Sequence, residues 1–151
     1  MVKKVRTGLF VCMFVFAFSF VPIAVSEEYS GTAKMKGNWM GLDEEKGNIQ
    51  EKCTIGMKIN DRDGNVQGKM VCDETTFWLY GMLGDQAFAL NAKTKILGEE
   101  HASLIILGKV KEKKGGKIKL EGVFAGVDTD GEVLQGKINA ELATGESMPE
   151  D

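Results

Sequence analysis

From about residue 31 onward, apolar and polar side chains alternate in segments of strand length, and glycine interrupts them every ten residues or so. Alternation with period two puts successive side chains on opposite faces of an extended chain, so each segment reads as a half-buried strand. Eight strands are expected, at 31–40, 52–60, 65–73, 75–82, 86–97, 102–111, 117–126 and 133–142. The fourth and fifth alternate least cleanly, because Phe77–Tyr80 and Ala87–Leu90 are continuous apolar runs. After Pro22 the next proline is Pro149, so no proline interrupts these strands. Short neighbours joined by tight turns predict an all-β fold: an eight-stranded antiparallel up-and-down meander forming a small barrel or a flattened sandwich.

Three turns support the pairing. Asp61-Arg62-Asp63-Gly64 and Asp128-Thr129-Asp130-Gly131 are both D-x-D-G, with glycine supplying the positive φ that closes a hairpin, and Lys113-Lys114-Gly115-Gly116 is the third. A three-residue loop at Thr129–Gly131 puts Ile118, Leu120, Gly122 and Phe124 on one face with Leu134, Gly136, Ile138, Ala140 and Leu142. The opposite face then collects Lys117, Lys119, Glu121, Gln135, Lys137, Asn139 and Glu141, and is solvated. At the first D-x-D-G a four-residue loop continues the face of Cys53, Ile55, Met57 and Ile59 into Val66, Gly68, Met70 and Cys72. Asn60 then pairs with Asn65, and stepping outward brings Cys53 opposite Cys72. The related stretches Val66-Gln67-Gly68-Lys69 and Val133-Leu134-Gln135-Gly136-Lys137 differ by one residue, which accounts for the two loop lengths.

The N-terminus has the three parts of a secretory signal. Lys3, Lys4 and Arg6 are followed by an apolar run from Gly8 to Val21, then Pro22, then Ala24-Val25-Ser26 with small residues where a signal peptidase reads. Cleavage is expected between Ser26 and Glu27. A retained anchor would need about 20 apolar residues, and Cys12 lacks the small preceding residue of a lipidation site. The organisation that follows is a cleaved signal at 1–26, one β-barrel domain at 27–142 and a disordered acidic tail at 143–151. Losing three of 19 basic residues leaves 16 against 22 acidic, a net charge of −6. That sign disfavours nucleic acid and anionic membrane surfaces, and no stable membrane insertion is expected after cleavage.

Cys53 and Cys72 survive cleavage and read as a disulfide in an exported protein. Two thiols and a single His101 cannot complete a four-ligand zinc site. None of the six asparagines lies in an Asn-x-Ser/Thr sequon, which favours a bacterial periplasm or secretion. The D-x-D-G turns also invite calcium through Asp61, Asp63 and Asn65, or Asp128, Asp130 and Glu132. A twelve-residue calcium loop needs a carboxylate first and a bidentate glutamate last. Ile59 and Gly126, Met70 and Lys137 stand there instead. His101 beside Glu99, Glu100 and Ser103 lacks an oriented nucleophile and oxyanion site. The five lysines from Lys111 to Lys119 read as a solvated hairpin tip, and Asp43–Lys46 as a solvated loop. No enzyme, cofactor or metal is expected.

Gly37-Asn38-Trp39 lies on the first strand, with Ala33, Met35, Gly37 and Trp39 on one face. A G-x-W opening an eight-stranded meander resembles the calycin barrels, the lipocalin and avidin families. A second family motif and a partner arginine are missing, and the chain is shorter than a typical lipocalin. The resemblance implies a small apolar ligand inside the barrel, with Trp39 as a closing or wall residue. Met35, Trp39, Met70 and Phe124 are the candidate ligand-binding residues. Gly37, Gly68, Gly108, Gly122 and Gly136 also fall on the inward face, as strand kinks or as room for a ligand. An eight-stranded barrel is just filled by side chains or holds one small molecule. The leading expectation is a non-enzymatic extracytoplasmic binding protein; the alternative is a solid-cored protein acting by its surface.

Overall fold

The computed structural model describes residues 25–94 and 102–145. Residues 1–24, Lys95–His101 with Glu99 and Glu100, and the tail beyond 145 lie outside the described residues. Eight strands follow one another: β1 (Ser26–Met40), β2 (Lys46–Asn60), β3 (Asn65–Cys72), β4 (Thr75–Leu83), β5 (Ala87–Thr94), β6 (Ser103–Lys114), β7 (Lys117–Val127) and β8 (Val133–Thr144). Each pairs antiparallel with its sequence neighbour, and β8 returns to β1. The meander is therefore a closed barrel rather than an open sandwich.

Both D-x-D-G turns have the registers their spacing requires. In the first, Ile59 pairs with Val66 and Cys53 with Cys72, around a four-residue loop. Asn60 Oδ1 accepts the Arg62 N–H at 2.9 Å, and Asp63 Oδ1 accepts the Asn65 N–H at 3.0 Å. In the second, Val127 pairs with Val133, and Asp128 N–H donates to the Glu132 carbonyl at 3.0 Å around a three-residue loop. Gly64 and Gly131 have φ of 72° and 79°, which only glycine adopts without strain. The Cys53–Cys72 disulfide joins directly opposed residues with Cα atoms 4.3 Å apart.

Strands β1 and β2 extend further than alternation suggests. Lys46–Glu51 is too polar to read as a strand, yet it pairs with β1 from Met40 to Met35. Backbone ladder bonds do not require apolar side chains. Pairing of β2 with β3 stops at Cys53–Cys72, so among the described residues the upper end of β2 has β1 as its only ladder partner. A gap therefore opens above Cys72. At the other end, cleavage after Ser26 would remove only the first pair of β1, Ser26 with Asn60. Strand β8 continues to Thr144, with Ala143 pairing Ser30 and Lys117.

The strands that alternated least cleanly do alternate in space. Phe77, Leu79, Leu83, Phe88, Leu90 and Ala92 face the core, while Trp78, Tyr80 and Met82 are exposed. Their pattern was obscured because the outer face is apolar too. Inside, Ile55, Met57, Met70, Ile118 and Phe124 are fully buried and pack the barrel interior.

The inward glycines mark close strand approach. Gly37 faces Gly136 and Gly108 faces Gly122 across adjacent strands. A methyl on Gly37 would lie 2.0 Å from the Gln135 carbonyl oxygen, and one on Gly136 would lie 2.7 Å from the Phe124 ring. The Phe88 ring covers Gly108 and Gly122 in the same way. The space above these glycines is occupied, so they permit curvature and do not make a ligand chamber.

Candidate functional site

The barrel is packed at one end and concave at the other. Where the β1–β2, β3–β4 and β7–β8 loops gather, the apolar filling stops and leaves a cup of about 420 Å³. Met35, Cys72, Phe77 and Leu104 form its floor, and Trp39, Ile49 and Leu134 its wall. The cup opens beside the upper part of β2, where that strand outruns β3.

Trp39 is held by its cross-strand neighbour. It pairs with Gly47 on β2 and Leu134 on β8. The indole lies flat against Gly47, where a β-carbon would come within 2.1 Å of Trp39 Nε1. A side chain at position 47 would displace the ring, so glycine there makes the wall. Met35 lies deeper and is 4 % exposed. Its sulfur is 3.8 Å from Cys53 Sγ and 4.0 Å from Cys72 Sγ, so the disulfide and the thioether build one floor.

The four candidate residues separate into two pairs. Met35 and Trp39 line the cup. Met70 and Phe124, at 0 % and 2 % exposure, are packed in the interior and do not line the cup, and Phe124 lies over Gly136. Alternation alone cannot distinguish these pairs, because all four face inward. Ile49, Phe77 and Leu134 complete the cup. Leu134 was legible as an inward residue of β8, whereas Ile49 lay in a segment that did not read as a strand and Phe77 in a continuous apolar run.

Four carboxylates surround the opening: Glu51, Asp73, Asp128 and Glu132. Glu51 occupies an inward position of β2, in phase with Cys53 and Ile55, and its carboxylate lies within 4.8 Å of both disulfide sulfurs. It was missed because Lys46–Glu51 did not read as a strand. The parity of Cys53 carried two residues back would have found it. Desolvation first, then a hydrogen bond with Asp128 and the charges of Asp128, Asp130 and Glu45, raise the Glu132 carboxyl above its ordinary range.

Asp128, Asp130 and Glu132 place carboxylate oxygens within 4.8 Å of one another. Asp128 Oδ1 already accepts the N–H groups of Asp130 and Glu132, both at 2.9 Å, which is hairpin chemistry. Ser103 begins β6 on its outer side, pairing with Val127, and His101 lies outside the described residues. Lys34, Lys36, Lys52, Lys119 and Lys137 are exposed on the outer wall, a charge density incompatible with lipid around the barrel. Among the described residues no helix is long and apolar enough to cross a membrane.

No family model matches the chain, and no curated protein matches its sequence. Among solved structures, the barrel is similar to isotype 1 transferrin-binding protein B from serogroup B Neisseria meningitidis, with a TM-score of 0.53 and 13 % identity. That match covers 83 % of this chain and 26 % of the other. It is also similar to the vaccine antigen transferrin-binding protein B from Haemophilus parasuis Hp5, with a TM-score of 0.55, 14 % identity, and 83 % and 28 % coverage. The chain thus spans between a quarter and a third of the length of these structures. At such identity the likeness shows the fold alone: an eight-stranded antiparallel β-barrel.

Proposed function

We propose that the protein is a non-enzymatic binding protein outside the cytoplasm, holding a small molecule with an apolar body in the mouth of its barrel. The carrying observation is the cup: a cavity of about 420 Å³ lined by Met35, Trp39, Phe77 and Leu104, above a packed core. A concave site of this size, with apolar side chains and polar groups sharing its lining, can hold a small ligand that has both an apolar and a polar part. The disulfide fits an oxidising compartment. The cup replaces the deeper chamber implied by the calycin resemblance, with the tryptophan of the G-x-W as its wall.

The test is a titration with a fluorescent apolar dye, read through the dye's own emission. A saturable change that disappears in Trp39→Ala is expected. No response, with no small molecule retained in native mass spectrometry of exported protein, would overturn the reading. One observation favours a second, surface-acting function. Met82, Ala89, Leu107 and Val123 pair successively across β4 to β7, and the three larger side chains are about half exposed. Rows of this kind often mark protein contacts, and the two neighbours above are named for binding the protein transferrin.

A further inference from the structure

We infer that the cup selects an organic cation, an amine or quaternary ammonium carried on a flat apolar body. This rests on the cup being a ligand site and adds the sign of the ligand's charge.

The lining carries four carboxylates, Glu51, Asp73, Asp128 and Glu132, and among the described residues no lysine or arginine. The asymmetry belongs to this end of the molecule. The neighbouring loops add Asp43, Glu44, Glu45, Glu74 and Asp130, while most lysines of the barrel stand on its outer wall. A concave site lined by one sign of charge over a low-dielectric floor focuses its field and concentrates ions of the opposite sign.

Glu51 makes the geometry specific. From Gly47 to Ile59, every other inward position of β2 is glycine, cysteine or an aliphatic or thioether side chain. A surface carboxylate has the whole outer wall available, yet this one stands inside the mouth beside the disulfide. Among the described residues it forms no ion pair. Trp39 and Phe77 offer aromatic groups in the same cavity, and a cation near such a ring is attracted by its quadrupole. Carboxylate and aromatic groups together fit an ammonium head on an apolar body.

Other ligand classes fit less well. A hard divalent ion takes about six or more converging oxygens, whereas the donors grouped with Glu51 are the two disulfide sulfurs. Asp128, the carboxylate at the centre of the turn cluster, is already occupied by two backbone donors. A fatty-acid carboxylate would enter against the charge of the rim.

The experiment uses the exported protein with Trp78→Phe and three probes sharing one ring: (2-naphthylmethyl)trimethylammonium, 2-naphthalenemethanol and 2-naphthylacetate. The ammonium should bind about tenfold more tightly than the alcohol at low salt, and the carboxylate more weakly than either. The preference should shrink several-fold at about 0.5 M salt, where screening acts over roughly 4 Å. Glu51→Gln and Asp73→Asn, both exposed and tested separately, should each lower ammonium affinity several-fold while leaving the alcohol within about twofold. Equal binding of all three probes would keep the cup as a ligand site and overturn the charge selection. Tightest binding by the acetate would do the same. Binding of none would overturn both readings. Circular dichroism of each variant confirms that the barrel is intact.

Discussion

Trp39 and Phe124 face the same interior, yet they should respond differently to truncation. Phe124 is fully buried against Gly136. Phe124→Ala leaves a cavity in packed surroundings and should cost about 3–5 kcal/mol in chemical denaturation. Trp39 keeps one face on Gly47 and turns another toward open space. Trp39→Ala should therefore cost only about 1–2 kcal/mol, because the ring starts partly exposed, while dye binding is lost. Equal costs would mean that the cup is filled in solution.

Tyr29 is the second residue whose surroundings make a measurable difference. It is buried near the first D-x-D-G turn, and its hydroxyl donates to the Glu27 carboxylate. Burial first, then that hydrogen bond and the charges of Glu27 and Asp61, push its pKa up to about 12. A phenol whose folded pKa exceeds the unfolded value, about 10, holds its proton more tightly in the folded state. Its contribution to stability is complete below about pH 10 and is lost as pH rises through the folded pKa. Phenolate absorbance should show a late step near pH 12, absent in Tyr29→Phe. A Tyr29 that ionises with the ordinary value in the folded protein would refute this.

At the scale of elements, the β2–β3 hairpin is held by its ladder, its Asp-Gly turn and its disulfide. The cysteines are 19 residues apart, so closing that loop should contribute roughly 3 kcal/mol through the unfolded state. Reduction should lower the melting temperature by several degrees without abolishing the β-sheet circular dichroism. It should also perturb the cup, since the disulfide and Met35 share its floor. An unchanged melting temperature would show that the cross-link adds little. This hairpin was readable from residues alone, because a D-x-D-G turn and two cysteines in phase leave one register. The upper part of β2 was not readable, because its mostly polar residues Lys46–Glu51 are held by pairing with β1, a non-local contact that local alternation does not encode. That segment carries Ile49 and Glu51, so the cup was hidden by the same physics. Glycine on the inward face was visible too, but only packing reveals that phenylalanine rings fill the space above it.

For the molecule as a whole, two surfaces compete to explain its function, and they are separable by position. The cup lies inside one end of the barrel. The apolar row Met82, Ala89, Leu107 and Val123 runs around the outside, and beyond Val123 the ladder continues into Lys137 and Lys36. Leu107 and Val123 face each other on β6 and β7 with 49 % and 54 % exposure, so neither contributes much to the core. Replacing them by an opposed pair, Leu107→Lys with Val123→Glu, removes the apolar patch and supplies an attractive cross-strand pair. The variant should keep its stability within about 1 kcal/mol and bind the dye as the parent does, since neither side chain reaches the cup. Any complex formed through the outer wall should be lost, as read by cross-linking and mass spectrometry of material from the producing cell. Retained dye binding with a lost complex would assign the partner to the wall and the small molecule to the mouth. Loss of dye binding in a folded variant would show that the two surfaces are coupled through the sheet, and a reading based on position alone would then fail.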